Sequence, residues 1–524
     1  MEKIAYEGLG RLLTVSGSHK TPLILNCEEG ASLLPMKSIE KRCSIKIGDK
    51  EYEAPDLPLG VDSETAPYLS VSEKIAVIDY ASFRRPEKIL NVIENARNEV
   101  GYNRLVYAHS VEPIDMPLLA YLGVDIFDNL ALSFRTAAGF VLEDGEWVKD
   151  KRKDLEKINQ KSLLGWIKRI RRYLTEGRLR ELVEKTSLHN PRNAEILRKA
   201  TQILEHTGGE PKNEIKANSF TLKHPSILKF QKDMMNFVPP AEGMVLLLLP
   251  CSAKKPYHWS KSHKRFRSVL SKIPNHLMLH QVIVTSPLGI VPRELELFPP
   301  AAHYDIAVTG EWDEDEKKML KKQIEKLNIK ENYSSVIIHA GEISEFVEQT
   351  LKEMGIKAQN TGMKKPASEE GLKILKEIVE KSLEKVERLT SKERSKGEAR
   401  CIAKFQFGEH ADKIMKNKVN GKWPKLSIEN VGSVSTRLGG FALNCKGAEM
   451  LTKDCIGIVK GADFELRGDM FAAGVMGTEG NWKVGEQVAI EQKGEITGVG
   501  IAFMNPKECV EMENGLAVEV RNRA

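Results

Sequence analysis

Between Pro250 and His263 the chain collects Cys251, Lys254, Lys255, Tyr257, His258, Ser260, Lys261, Ser262 and His263. A thiolate or a neutral amine is a nucleophile, and hydroxyls and imidazoles can give protons or hydrogen bonds to developing charge. No other stretch holds so many reactive types so close together. Its chemistry depends on what positions it.

Immediately before it runs Met244 to Leu249, wholly apolar and closed by Pro250, which predicts a buried strand. In open α/β sheets ligands gather beyond the carboxyl ends of the strands, so the Cys251–His263 loop falls where a site is expected. Further strands are predicted at Gln281–Thr285, Asp305–Val308 and Ser335–His339, with an amphipathic helix from Glu314 to Leu327. These strands end at Ser286-Pro287-Leu288-Gly289, Thr309-Gly310 and Ala340-Gly341, and their ends would share one crevice. His303, Tyr304, Glu311, His339 and Glu342 are candidates for its rim.

Residues 1 to about 145 also alternate strands with helices, at Ile75–Asp79, Pro86–Val100, Leu105–Ala108 and Met116–Leu122, which implies parallel pairing. A charged helical region follows, with basic clusters at Lys168–Arg172 and Arg178–Arg180. Gly208–Lys216 reads as a linker, Ser368–Leu389 as a helix and Ser391–Arg400 as a second linker. The last 80 or so residues are short, glycine-punctuated segments that suggest a small β-barrel.

The 524 residues suffice for several domains, and 41% hydrophobic with 29% charged residues describes a globular protein. A net charge of +6 is compatible with a nucleic-acid partner. No apolar run approaches the roughly 18 residues a membrane span needs. Met1–Tyr6 lacks the layout of a signal peptide, so a cytoplasmic location is expected. None of the 7 cysteines forms a CxxC pair, which argues against a disulfide framework or a zinc ribbon.

Three regions resemble known families. Pro250, Cys251, Lys255, Pro256, Tyr257, Ser260 and His263 fit the signature of archaeosine synthases, relatives of the tRNA-guanine transglycosylases. Residues from Cys445 to Arg523 resemble a PUA domain, carried by Arg467-Gly468-Asp469, Phe471–Val475 and Gly515–Val520. Pro117–Asp128 and Glu176–Val183 resemble the later part of a transglycosylase barrel. The fold these resemblances imply is α/β multidomain. Residues 1–215 would form a truncated TIM-barrel-like transglycosylase domain with C-terminal helices, and 217–390 a parallel α/β catalytic domain. A small connecting domain would occupy 391–444 and a PUA β-barrel 445–524.

A full barrel needs at least roughly 200 residues, so the portion before the charged helices can supply only part of one. Transglycosylases hold a structural zinc with three cysteines and a histidine. No cysteine lies between Cys43 and Cys251, so His189 has no partners for tetrahedral zinc and no metal is expected.

The implied function is conversion of 7-cyano-7-deazaguanine (preQ0) in the tRNA D-loop to the formamidine of archaeosine. An amine co-substrate (glutamine, asparagine, ammonia or lysine) would add to the nitrile, with no bound cofactor. Within the family some members work with a radical-SAM partner that resolves a lysine adduct; a homodimer is left open. Cys251 or Lys255 would attack the nitrile carbon, His263 would protonate its nitrogen, and Ser260 or Tyr257 would hydrogen-bond it. Pro250, Tyr257 and Asp128 are expected to contact substrate, Asp128 standing where the transglycosylase nucleophile falls. Lys254, Lys261, Lys264, Arg265 and Arg267 would meet phosphates, and His258 and Trp259 would stack the base. Two alternatives are a non-catalytic tRNA-binding subunit and a transglycosylase acting through Asp128.

Overall fold

The computed structural model describes residues 1–34, 43–54, 69–71, 75–80, 86–204, 215–216, 221–305, 312–452 and 454–524. Two compact units emerge. One comprises Met1–Asn213, Gly457–Glu495 and Gly500–Arg521; the other comprises Glu214–Ile456 with Ile496–Val499 and Asn522–Ala524. No helix among the described residues is long and apolar enough to cross a membrane.

In the first unit, β1 (Glu2–Glu7) and β2 (Gly10–Ser16) form an antiparallel pair. The strands β3 (Leu23–Leu25), β4 (Ile75–Asp79), β5 (Leu105–His109) and β6 (Ile126–Asp128) pair in parallel in the order β3-β6-β5-β4, with Leu69–Val71 antiparallel at one edge. Their near-continuous apolar sequences fit burial on both faces. The sheet is open among the described residues. Four parallel strands cannot close a cylinder that needs eight, so the described residues form no closed barrel. Helix α1 (Pro86–Val100) has the expected bounds, and α2 (Leu155–Glu176) packs Leu163, Trp166, Ile167, Ile170 and Leu174 inward at three- and four-residue spacing.

The C-terminal strands Gly457–Gly461, Val475–Glu479, Gln487–Gln492, Glu495–Ala502 and Asn514–Arg523 share one sheet, and β1 extends it. Glu2 and Lys3 lie parallel to Asn514 and Gly515, and the Lys3 ammonium is buried 2.7 Å from Glu508. Inside the α/β part, Asp125 accepts from Arg11 at 2.9 Å, from Arg97 at 2.8 Å and from the Val106 amide at 2.9 Å. Burial would raise that carboxyl, but Arg11 and Arg97 outweigh it and hold it below its ordinary value.

The second unit is built on β7 (Met244–Pro250), β8 (Leu279–Thr285), β9 (Gly289–Pro292), β10 (Tyr333–Ile338) and β11 (Ala358–Asn360), in the order β9-β8-β7-β10-β11. All pairings are parallel except β8–β9. The chain leaves β7 toward β8 on one side and leaves β10 toward β11 on the other. The carboxyl ends of β7 and β10 therefore flank a topological switch point, the usual ligand position in such sheets. Of the expected strand Asp305–Val308, only Asp305 is described, as the end of a short strand Tyr304–Asp305. Residues 306–308, Thr309, Gly310, Glu311 and most of the linker read at 208–216 lie outside the described residues.

One local expectation is overturned. Ser391–Arg400 is no linker but the start of α4 (Ser391–Phe407). Thr390 and Glu393 form a reciprocal capping box that satisfies the first free amides, a signal masked by the charged composition. Gly397 lies inside this helix because a Cβ there would fall 1.9 Å from the Pro240 carbonyl oxygen.

Candidate active site

Parallel pairing aligns Pro250 of β7 with Val284 of β8, so the next residues, Cys251 and Thr285, emerge side by side. Cys251 is partly buried, beside Thr285 on the neighbouring strand. Burial pushes that thiol above its ordinary value, while Lys255 and Thr285 pull it back. The Lys255 Nζ is buried and lies 4.2 Å from the centroid of the Tyr304 ring. Tyr257, fully buried, donates its phenol to Thr285 Oγ1 at 3.1 Å and also meets the Tyr304 hydroxyl. Thr285 Oγ1 and the Tyr304 hydroxyl are 2.5 Å apart. A thiol, an amine and three hydroxyls thus converge at the carboxyl end of the central strand. Such a group can carry and stabilise a nucleophile.

Ser260 and His263 have other duties. Ser260 caps helix α3 (Lys261–Leu270), its Oγ accepting from the His263 amide at 3.2 Å. The His263 ring is buried between two partners: Nε2 lies 3.0 Å from the Pro250 carbonyl and Nδ1 lies 2.8 Å from an Arg293 guanidinium nitrogen. Arginine can only donate, so Nδ1 accepts and Nε2 carries the hydrogen given to Pro250. Burial, and then Arg293, push this imidazole well below its usual titration range. A proton-donor role for His263 finds no support in that geometry; the ring ties the motif's helix to the end of β7. Pro250 enters the site through that carbonyl, and Tyr257 through the hydroxyl cluster rather than as an open substrate contact.

Arg293 is the hub that sequence reasoning missed. It also donates to Glu296 at 2.8 Å and to Gln281 at 2.9 Å, and Glu296 accepts from the His258 amide at 3.1 Å. The signal was available: Arg293, Glu294 and Glu296 interrupt an apolar run and are all buried. Arg267, expected on phosphate, instead holds His258 through its ring nitrogen at 2.8 Å and its carbonyl at 2.7 Å. Burial, with Arg267 next, pushes His258 down to about 4. Trp423, from the hairpin after α4, meets the His258 ring edge-on at 5.0 Å. Trp259, Lys254, Lys261, Lys264 and Arg265 are exposed.

Among the rim candidates, Tyr304 joins the cluster and His303 and Glu342 are exposed. The two His339 nitrogens are engaged by Thr361 Oγ1 and the Pro366 carbonyl, both at 2.9 Å. Asp128 belongs to the other unit, at the carboxyl end of β6. It accepts from the Tyr107 hydroxyl at 2.6 Å and from the Ser110 and Leu130 amides at 3.0 and 2.9 Å. Burial outweighs these donors and raises its carboxyl. His189 pairs with Glu146.

A loop rich in thiol, amine and hydroxyl groups on a parallel α/β sheet, in a chain with a separate C-terminal β-sheet unit, marks the class as a multidomain α/β protein with a candidate site at a strand end. A family model described as a domain of unknown function (DUF5591) matches residues 227–379, and the PUA domain model matches 458–523. Archaeosine synthase subunit alpha of Methanosarcina acetivorans is 31% identical over 484 residues, covering 83% of this chain and 77% of that protein. The protein of the same name from Thermoplasma acidophilum is 28% identical over 472 residues, covering 86% and 88%. A crystal structure described as a protein of unknown function aligns with 56% of this chain and 98% of its own, at 25% identity and a TM-score of 0.43. This chain belongs to the archaeosine synthase family.

Proposed function

We propose that the protein acts on tRNA already carrying preQ0 in its D-loop and converts the nitrile to an amidine. Cys251 adds to the nitrile carbon through sulfur while the nitrogen takes up a proton, giving a thioimidate. An amine co-substrate then adds to that carbon and the thiol leaves, so the base keeps the new C–N bond and the enzyme regains Cys251. The Lys255 ammonium supplies positive charge beside the sulfur and a proton source within the loop. His263 and Ser260 act by holding the loop.

The observation that carries this reading is the meeting of Cys251, Lys255 and Thr285 at the end of the central strand. Family membership and the PUA match support an RNA substrate, and the relatives' designation as subunit alpha supports a partner subunit, which on this reading is a radical-SAM protein. Under this reading residues 1–215 are a degenerate transglycosylase domain, 217–390 the catalytic domain, 391–444 a connector and 445–524 the PUA domain. No cofactor is bound, and the protein works in the cytoplasm.

The test is mass spectrometry of preQ0-tRNA incubated with pure protein and each candidate amine. A lysine adduct indicates a two-protein route, and an amidine formed with glutamine or ammonia indicates that this chain suffices. Unchanged preQ0 with every amine, with and without the partner, would sink the proposal.

A further inference from the structure

We propose that the tip of the hairpin after α4 and the exposed face of α3 form one platform for an unpaired stretch of the tRNA. One base lies on Trp259, and the neighbouring phosphates lie on Lys261, Lys264, Arg265, Lys422 and Lys425. The platform rests on the reading of tRNA as substrate and names the surface of the second unit that grips it.

The hairpin strands Val419–Lys422 and Lys425–Ile428 are anchored on α4, where Ser395 Oγ donates to the Gly421 carbonyl at 2.9 Å. Their two-residue tip, Trp423-Pro424, brings Trp423 edge-on to the His258 ring at 5.0 Å. The same ring lies 6.4 Å from that of Trp259, and Arg267 of α3 holds its nitrogen at 2.8 Å. Hairpin tip, site loop and α3 therefore meet at His258, which acts as their rivet and is withdrawn from base stacking. Trp259 is not withdrawn. It is 43% exposed, and every nucleobase offers an indole a face to stack on.

The charges around this junction break three local rules in the same direction. Lys422 and Lys425 are direct cross-strand partners, and like charges so placed repel. Lys261 and Lys264 stand in the first turn of α3, where no acid accompanies them and the helix dipole disfavours cations. Lys261 also has Lys264 and Arg265 three and four positions on, again like against like. All five side chains are exposed, and among the described residues none of them forms an ion pair. Residues 413–428 hold five lysines and no acidic residue. The carboxylate at the junction, Glu296, is buried and spent on Arg293 at 2.8 Å and on the His258 amide at 3.1 Å. Anions are thus turned inward and cations outward around an exposed indole. Such self-repulsion costs stability in the free protein and is relieved by a polyanion, and the bare ring selects one with unstacked bases.

The test is fluorescence anisotropy of the full-length protein with a fluorescein-labelled tRNA transcript that lacks preQ0, measured over a range of salt. Lys422→Gln/Lys425→Gln removes two charges and their mutual repulsion, so its thermal midpoint should be no lower than the parent's. Its affinity should fall about tenfold, and the slope of log Kd against log salt should flatten by about 1 to 2. Trp259→Ala should weaken binding by about tenfold with the slope unchanged, and Trp259→Phe should recover most of the loss. Lys352→Gln/Lys357→Gln, at the end of the helix that precedes β11 and so by the amino ends of the strands, should bind like the parent. Parental affinity and slope in both the hairpin and the Trp259 variants would overturn the platform, as would an equal loss in the Lys352→Gln/Lys357→Gln control. Parental tRNA binding joined to lost capture of the partner subunit would overturn it too, and would give the surface to a protein. Because the transcript carries no nitrile, a failure of the proposed chemistry is read separately: unchanged preQ0 with every amine sinks the reaction and leaves these affinities to decide the platform.

Discussion

Asp128 and Cys251 occupy the same kind of place and meet opposite fates. Each lies at the carboxyl end of a buried parallel strand, where open α/β sheets put their chemistry. Asp128 is saturated: Tyr107, Ser110 and Leu130 all donate to it, and it holds Ser110 at a φ of 57°, a conformation uncommon for serine. Cys251 is partly exposed, with a cation and a hydroxyl beside it. Topology nominates a position for function, and the local donor count decides whether the group is spent on structure or left for reaction.

The sharpest break of this contrast is a pair of substitutions assayed together. Cys251→Ala should lower modification of preQ0-tRNA by at least about 100-fold with little change in thermal midpoint. Asp128→Asn should do the reverse, removing about 1–3 kcal/mol of stability by spoiling a buried acceptor while activity per folded molecule stays close to parental. The comparison fails if Asp128→Asn abolishes activity in a protein that melts normally.

Arg293→Ala should be the most damaging change in the second unit, at about 3–5 kcal/mol, because it leaves Glu296 and the His263 ring buried without their shared donor. Urea unfolding followed by tryptophan fluorescence would measure it. Acid should act through Glu294. Burial favours its neutral form, but His280 and Arg394 outweigh that and hold it at about 2, against an ordinary 4.5. Folded below unfolded means that its contribution is present above about 4.5 and is lost as pH falls toward about 2. Glu294→Gln should flatten that part of the stability–pH curve. The smallest effect is expected at Ser260→Ala, about 1 kcal/mol from the lost cap, with the Cys251 alkylation profile unmoved. A shifted profile would return Ser260 to the reacting site.

Much of this protein is legible residue by residue. Met244–Leu249 could only be a buried strand, α1 begins and ends where its periodicity says, and the Cys251–His263 loop follows from the strand that carries it. These are local matters, set by side-chain period and by apolar runs too continuous for an exposed face. The helix at Ser391 was also local, written in Thr390 and Glu393, but a charged composition spoke louder.

Partnership was beyond reach of the chain read in order. Thr285 stands beside Cys251 only because β8 pairs with β7 in one register, and a slip of one residue would turn the Thr285 side chain to the other face. Arg293 reaches His263 across 30 positions of sequence and Arg394 reaches Glu294 across 100. Residue types set which chemistry was available. Packing decided which donors were consumed, because a buried polar group must be satisfied by whatever the fold brings within about 3 Å, regardless of its distance along the chain.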